Sequence, residues 1–303
     1  MRKFAVLTLT FLCLQAAWAA VLPVGVVAQA QPASYRGDWS ADSRNTWRDD
    51  DGEPRVQFNL RSNAGDSRWG FGVRLRDLAG LPSSALSSTA DNIQFTFARE
   101  AGSFRFSGSF DQGRGNGTYT FTPDPSFITN MGAAGYRNLS IDDIVRLAVI
   151  DVTVAHVRGL AQAGYGSLSL DDMVRTRIHR VTPEFVRDLA AVGYKGIVVD
   201  DLVRMGIHGA TPANIKALQA AGIRGQSVED LIRFRIHKVT PDYIKGMREV
   251  GFVTVSEEQL VRMKIHKVDA QFIRDARADG LSVQTPGDAV DLAIHGPRWH
   301  KRR

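Results

Sequence analysis

Between residues 123 and 296 the apolar positions come in bursts at helical spacing, two bursts to every 29 residues, and the unit recurs six times without a gap. In the copy from Val181 to Gly209, Phe185, Val186, Leu189 and Val192 make one burst; Leu202, Val203, Met205 and Ile207 make the second. Each burst predicts one apolar stripe along a helix of about ten residues. The punctuation agrees. Thr182-Pro183-Glu184 has a capping residue, proline at the first helical position and an acid in the first turn. Gly193 stands where a left-handed residue closes a helix. Asp200 and Asp201 open the second helix, and His208-Gly209 ends it. The other copies repeat the scheme. Thr153, Thr211 and Thr240, with Asp124 and Asp269 in the outer copies, take the first cap, and Ser140, Ser169, Ser227 and Ser256 the second. Ser227 with Asp230 and Ser256 with Gln259 have capping-box spacing. Helices this short do not persist alone in water, so the copies are expected to stack on one another as a solenoid. The sixth copy departs from the pattern: Asp291 replaces a recurrent arginine, and Pro286 is expected to interrupt the start of the second helix.

Residues 34–121 have a different texture. Val56-Phe58-Leu60, Trp69-Phe71-Val73-Leu75, Ile93-Phe95-Phe97, Phe104-Phe106 and Tyr119-Phe121 alternate with polar residues. That period predicts about six half-buried antiparallel strands, in a small sheet or sandwich. Asn116-Gly117, within the glycine-rich run 113–117, is read as a hairpin turn between two of them. The acidic run 49–53 lacks the ligand spacing of a calcium loop and is read as a solvated turn. The pattern as a whole predicts an α+β fold, with a small antiparallel β domain (34–121) followed by an α-solenoid-like array of six two-helix repeats (123–296).

Composition changes this picture at the two ends. Arg2 and Lys3, an apolar run from Phe4 to Ala20 and small residues at Ala17-Trp18-Ala19 and Ala28-Gln29-Ala30 match a secretory leader over residues 1–30. Export to the periplasm or beyond is therefore expected. Cys13, the only cysteine, lies in that leader, so disulfides, thiolate metal sites and cysteine nucleophiles are not expected in the mature chain. The net charge of +6 is local. Without Arg2 and Lys3 there are 36 basic against 32 acidic side chains, and four of the excess lie in the tail 297–303, at Arg298, Lys301, Arg302 and Arg303. Peripheral contact of this tail, with Trp299, with an anionic membrane surface is one expectation; nucleic acid is not an expected partner.

Three columns of the repeat carry candidate chemistry. His179, His208, His237, His266 and His295 fall at helix C-termini, where an imidazole can meet unpaired carbonyls. They are the candidates for pH sensing. Equivalent residues of packed helices lie roughly 10 Å apart, whereas zinc needs ligands about 2 Å away, so they are not expected to share a metal ion. Arg146, Arg175, Arg204, Arg233 and Arg262 form a second column. In the first four copies each lies three residues after an acid, and is expected to pair with it or to bridge repeats. Arg158, Arg187, Lys216, Lys245 and Arg274 form a third. The two basic columns are candidate interaction surfaces, either a stripe for an anionic polymer or a salt-bridged solvated face. Phe185, Tyr243 and Phe272 are candidate contacts that also suit the core. The sequence contains no H-E-x-x-H, no G-x-S-x-G, no phosphate loop and no paired-cysteine motif. No enzyme activity and no cofactor are expected.

The segments Val-Thr-Pro-Glu-Phe-Val-Arg at 181–187 and Asp-Asp-Leu-Val-Arg-Met-Gly-Ile-His at 200–208 resemble the repeats of uncharacterised bacterial envelope proteins. Similar repeats are appended to membrane metallopeptidases of the β-lactam-sensor type, and the Gly/Phe-rich stretch 104–121 resembles the segment that precedes them. The zinc motif and membrane helices of those peptidases are absent from this chain. The resemblance thus implies a repeat protein of the envelope without proteolysis. The expected function is an exported, non-catalytic binding or scaffold protein that engages a protein or an anionic envelope polymer. A periplasmic sensor responding to ligand or pH is the alternative.

Overall fold

In the computed structural model the described residues are 35–44, 55–63 and 67–296. The leader, the acidic run 49–53 and the basic tail lie outside them.

Seven strands precede the helices: β1 Tyr35–Asp42, β2 Arg55–Ser62, β3 Arg68–Arg74, β4 Leu78–Ala79, β5 Ala90–Arg99, β6 Gly102–Asp111 and β7 Arg114–Pro123. They form one antiparallel sheet in the order β3-β2-β1-β7-β6-β5-β4. Alternation works as expected, since Val56, Phe58, Leu60, Phe95, Phe97, Phe104, Phe106 and Phe121 are all buried. The sheet curls until its inner face closes on itself. Phe58 on β2 and Phe95 on β5 belong to strands that are not neighbours, yet their ring centroids are 6.0 Å apart. Trp39, on β1, touches both. Leu75 falls just past β3, in a short 3-10 turn that leads to β4.

The β6–β7 hairpin corrects the sequence reading. Its turn lies at Gln112-Gly113, both at positive φ, and Asn116-Gly117 sits inside β7. Close approach explains those strand glycines: a Cβ on Gly117 would lie 2.0 Å from the carbonyl oxygen of Ser107, and one on Gly115 2.7 Å from Trp39. The turn signal was misplaced because glycine serves packing here.

Twelve helices follow in six pairs: α1 Pro125–Ala133, α2 Ile141–Ile150, α3 Val154–Leu160, α4 Leu170–Ile178, α5 Pro183–Ala191, α6 Val199–His208, α7 Pro212–Ala220, α8 Val228–Ile236, α9 Pro241–Glu249, α10 Glu257–Ile265, α11 Ala270–Ala278 and α12 Pro286–His295. The expected caps are in place. Thr182 accepts from Phe185 N, Asp269 from Phe272 N, and Ser256 with Gln259 closes a full capping box. Pro286 starts its helix where an interruption was expected, because Thr285 caps it and Pro286 is the first helical residue. Gly193 has φ +101°, and a Cβ there would meet nothing within 4 Å; conformation, not space, calls for glycine. Odd-numbered helices pack on odd and even on even: α4 on α6, α6 on α8, α3 on α5 and α5 on α7.

Sheet and array belong to one compact unit. Helix α2 lies against β3, β6 and β7. The Tyr35 hydroxyl donates to Asp142 Oδ1 at 2.6 Å, and the β5–β6 turn meets the end of α2 through Arg99–Asp151 at 3.4 Å. The core thus continues from the aromatic sheet to Leu292 in the last helix.

Candidate interaction surface

The arginine column acts first as a staple between repeats. Arg146 reaches Asp171 of the next copy at 2.5 Å. Arg175 holds Asp172 at 2.9 Å and Asp200 at 2.8 Å, and Arg204 holds Asp201 at 3.1 Å and Glu229 at 2.6 Å. Hydrogen bonding to Asp200 raises the Arg175 pKa above its usual value, and bonding to Glu229 does the same for Arg204. Among the described residues Arg233 pairs with Asp230 of its own helix at 3.6 Å, and Arg262 is exposed. Pairs this open to solvent contribute little to stability and mainly hold geometry.

The other basic column is exposed throughout. Arg158 donates to Asn130, Arg187 pairs with Glu184 at 2.6 Å, Lys245 lies 4.0 Å from Glu249 and Arg274 donates to Gln271. Lys216 is exposed beside them. The aromatics Phe185 and Phe272 are half-buried and Tyr243 is buried.

The histidines end the even-numbered helices from α4 onward. His179, His237 and His266 are C-cap residues, and His208 and His295 are last helical residues before glycine. Closure comes from the backbone, as in His179 N to Arg175 O at 3.0 Å. The rings of His179, His208, His237 and His266 make no hydrogen bond to a described residue, so the expected imidazole cap is replaced by a main-chain one.

One column escaped the sequence reading. Ile178, Ile207, Ile236, Ile265 and Ile294 are 51%, 52%, 49%, 53% and 47% exposed. Ile207 belongs to the apolar stripe by sequence, yet the structure places it outside the core. The phase explains this, since two residues past the buried Met205 a helix has turned about 200°. Stacking of α4, α6, α8, α10 and α12 brings the five isoleucines into one ridge. Val149, the same position in the first copy, is 8% exposed, at the α2 end that the β5–β6 turn meets. Basic residues border the ridge: Arg177, Arg235 and Lys264 before the isoleucine, and Arg180, Lys238 and Lys267 after it.

A second omission is a matched polar pair in the core. His156 stands where other copies have Phe127, Phe185, Asn214, Tyr243 or Phe272, and Thr176 where others have Leu147, Met205, Phe234, Met263 or Leu292. His156 Nε2 lies 3.0 Å from Thr176 Oγ1. That hydroxyl donates to Met173 O at 2.7 Å, so it accepts from a protonated Nε2 and fixes the neutral ring's tautomer. Burial pushes the imidazole pKa down to about 4; Arg177 adds to the effect and Glu184 opposes it.

Open cavities also mark the surface among the described residues. One of about 420 Å³ lies between Tyr165, Val186, Leu189 and Tyr194, and one of about 480 Å³ lies on the sheet beside Asp38, Arg61, Arg68 and Trp69. Tyr136, Asp143 and Leu170 border one of about 450 Å³, and His156, Arg177 and Glu184 one of about 250 Å³. Among the described residues no three metal-ligating side chains converge, and no helix is long and apolar enough to cross a membrane. Neither a protein-family model nor a curated protein matches the chain.

Proposed function

We propose that this is an exported, non-catalytic scaffold protein whose helical array is a docking surface for another component of the cell envelope. The isoleucine ridge carries the reading. Scattered surface isoleucines need no explanation, but five at one position of consecutive repeats form a regular apolar row on one face, and apolar surface gathered in this way marks an interaction site. The ion pairs of Arg146, Arg175 and Arg204 link α2, α4, α6 and α8 beside its first half. Footprinting tests this directly. Carbene labelling of the protein with and without its own envelope extract should show protection at Ile207, Ile236 and Ile265. Labelling of the ridge that the extract leaves unchanged refutes the reading.

The buried His156 favours a second reading, in which acid loosens the second repeat and changes what the array presents. Here the sensing group would be a core histidine, not the surface column.

A further inference from the structure

We propose that the isoleucine ridge is the face by which the protein lies on an anionic lipid bilayer. The inference rests on the ridge being a docking surface and names its occupant. Charge is the first argument. Arg180, Arg235, Lys238 and Lys267 border the isoleucines and make no ion pair with a described residue, and the Lys264 ammonium sits 4.4 Å from the centre of the Tyr243 ring. Arg177 is committed to Asp151 at 2.7 Å. Of the acids along this edge, Asp151 is held by Arg99 and Arg177, Glu184 by Arg187, and Asp269 caps α11. Asp242 is left exposed in the first turn of α9. The free charge beside the ridge is therefore mostly positive, which disfavours a second copy of the same ridge and suits an anionic partner.

Shape is the second argument. The isoleucines stand at helix ends, regularly spaced, with long cationic side chains on both sides. A fluid surface accepts such a pattern without a complementary mould, taking the apolar groups at the headgroup boundary and the cations among the phosphates.

Vesicle flotation of the purified protein provides the test, with phosphatidylcholine vesicles containing phosphatidylglycerol set against pure phosphatidylcholine. Residues 1–30 hold their own apolar run, so each comparison is between variants that share it. The protein should float with the anionic vesicles and release as salt rises. Arg180→Gly, Lys238→Gly and Lys267→Gly together should weaken partitioning about a hundredfold, from the loss of three cations near the surface. Glycine occupies this position in two other repeats, so the variant should stay folded. Ile207→Ser, Ile236→Ser and Ile265→Ser together should weaken partitioning about tenfold or more, with circular dichroism unchanged. Flotation equal with both vesicle types, or equal among the variants, overturns the proposal. Loss of footprint protection in the serine variant with a lipid-free extract, alongside failure to float, overturns the lipid assignment while docking stands. If neither measurement depends on the ridge, both readings fall.

Discussion

Lys238 sits at φ +56° immediately after α8, and Arg180 and Lys267 take the same left-handed conformation after α4 and α10. Gly209 and Gly296 hold the equivalent places. A side chain with a Cβ is strained there by roughly 1 kcal/mol relative to glycine. Lys238→Gly should therefore stabilise the protein by about 1 kcal/mol, read as a shift of the urea midpoint at unchanged slope. Lys and Arg persist at a position where glycine fits better, which is what a requirement for surface charge predicts. Gly206 shows the opposite case. A Cβ there would lie 2.2 Å from the carbonyl oxygen of His179, a main-chain atom that moves only with α4. Gly206→Ala should cost about 1–3 kcal/mol, and a neutral outcome would show that α4 and α6 are free to separate.

At the scale of one helix pair, the second repeat differs from its neighbours by replacing two apolar residues with His156 and Thr176. Unfolded histidine binds its proton near pH 6.5, while the buried ring holds out to about 4. Between those values the unfolded chain carries more protons, so stability falls as the solution is acidified. The gap corresponds to about 3 kcal/mol at full protonation. Denaturant unfolding of the wild type should thus lose about 3 kcal/mol more between pH 7 and pH 4 than His156→Phe, which restores the aromatic of the two adjacent copies. Parallel pH profiles would assign the acid response elsewhere.

The elements also show what could be read beforehand. Caps such as Thr182, Ser256 and Asp269 were legible because they act within four residues of chain. Strands from Val56 to Phe121 were legible because alternation is local too. The failures needed the third dimension. Gly117 mimics a turn because Ser107 of the neighbouring strand approaches too closely for a Cβ. The ridge at Ile207 was hidden because a helix C-terminus has no next turn to reveal its phase. Recurrence of Tyr136, Tyr165 and Tyr194 at the 29-residue spacing was an available signal that went unused. Each tyrosine donates its hydroxyl to the next copy, at Leu168 O, Ile197 O and Gln226 O. Likewise, comparing columns would have exposed His156 as a titratable residue in a mostly aromatic position, where Asn214 is the other polar residue.

Across the whole molecule, stability should run as a chain of neighbour contacts anchored at one end. The array starts on the sheet, where Tyr35 holds Asp142 and α2 covers β3, β6 and β7. At its other end α12 packs on α10. Leu147 in α2 is 0% exposed and Leu292 in α12 is 4% exposed, so truncating either to alanine removes similar contacts and costs about 2–5 kcal/mol locally. The consequences should differ in reach. In a stack, each copy depends on the one before it, so Leu292→Ala should raise amide exchange in α11 and α12 while the sheet and α2 keep their protection. Leu147→Ala weakens the joint through which the sheet supports every later repeat, and exchange should rise from β7 through α4 and beyond. Hydrogen exchange read by mass spectrometry on both variants separates the cases. Equal loss of protection along the chain in both would mean that the copies fold as one cooperative globule, and the ridge would then owe its regularity to that globule and not to neighbour stacking.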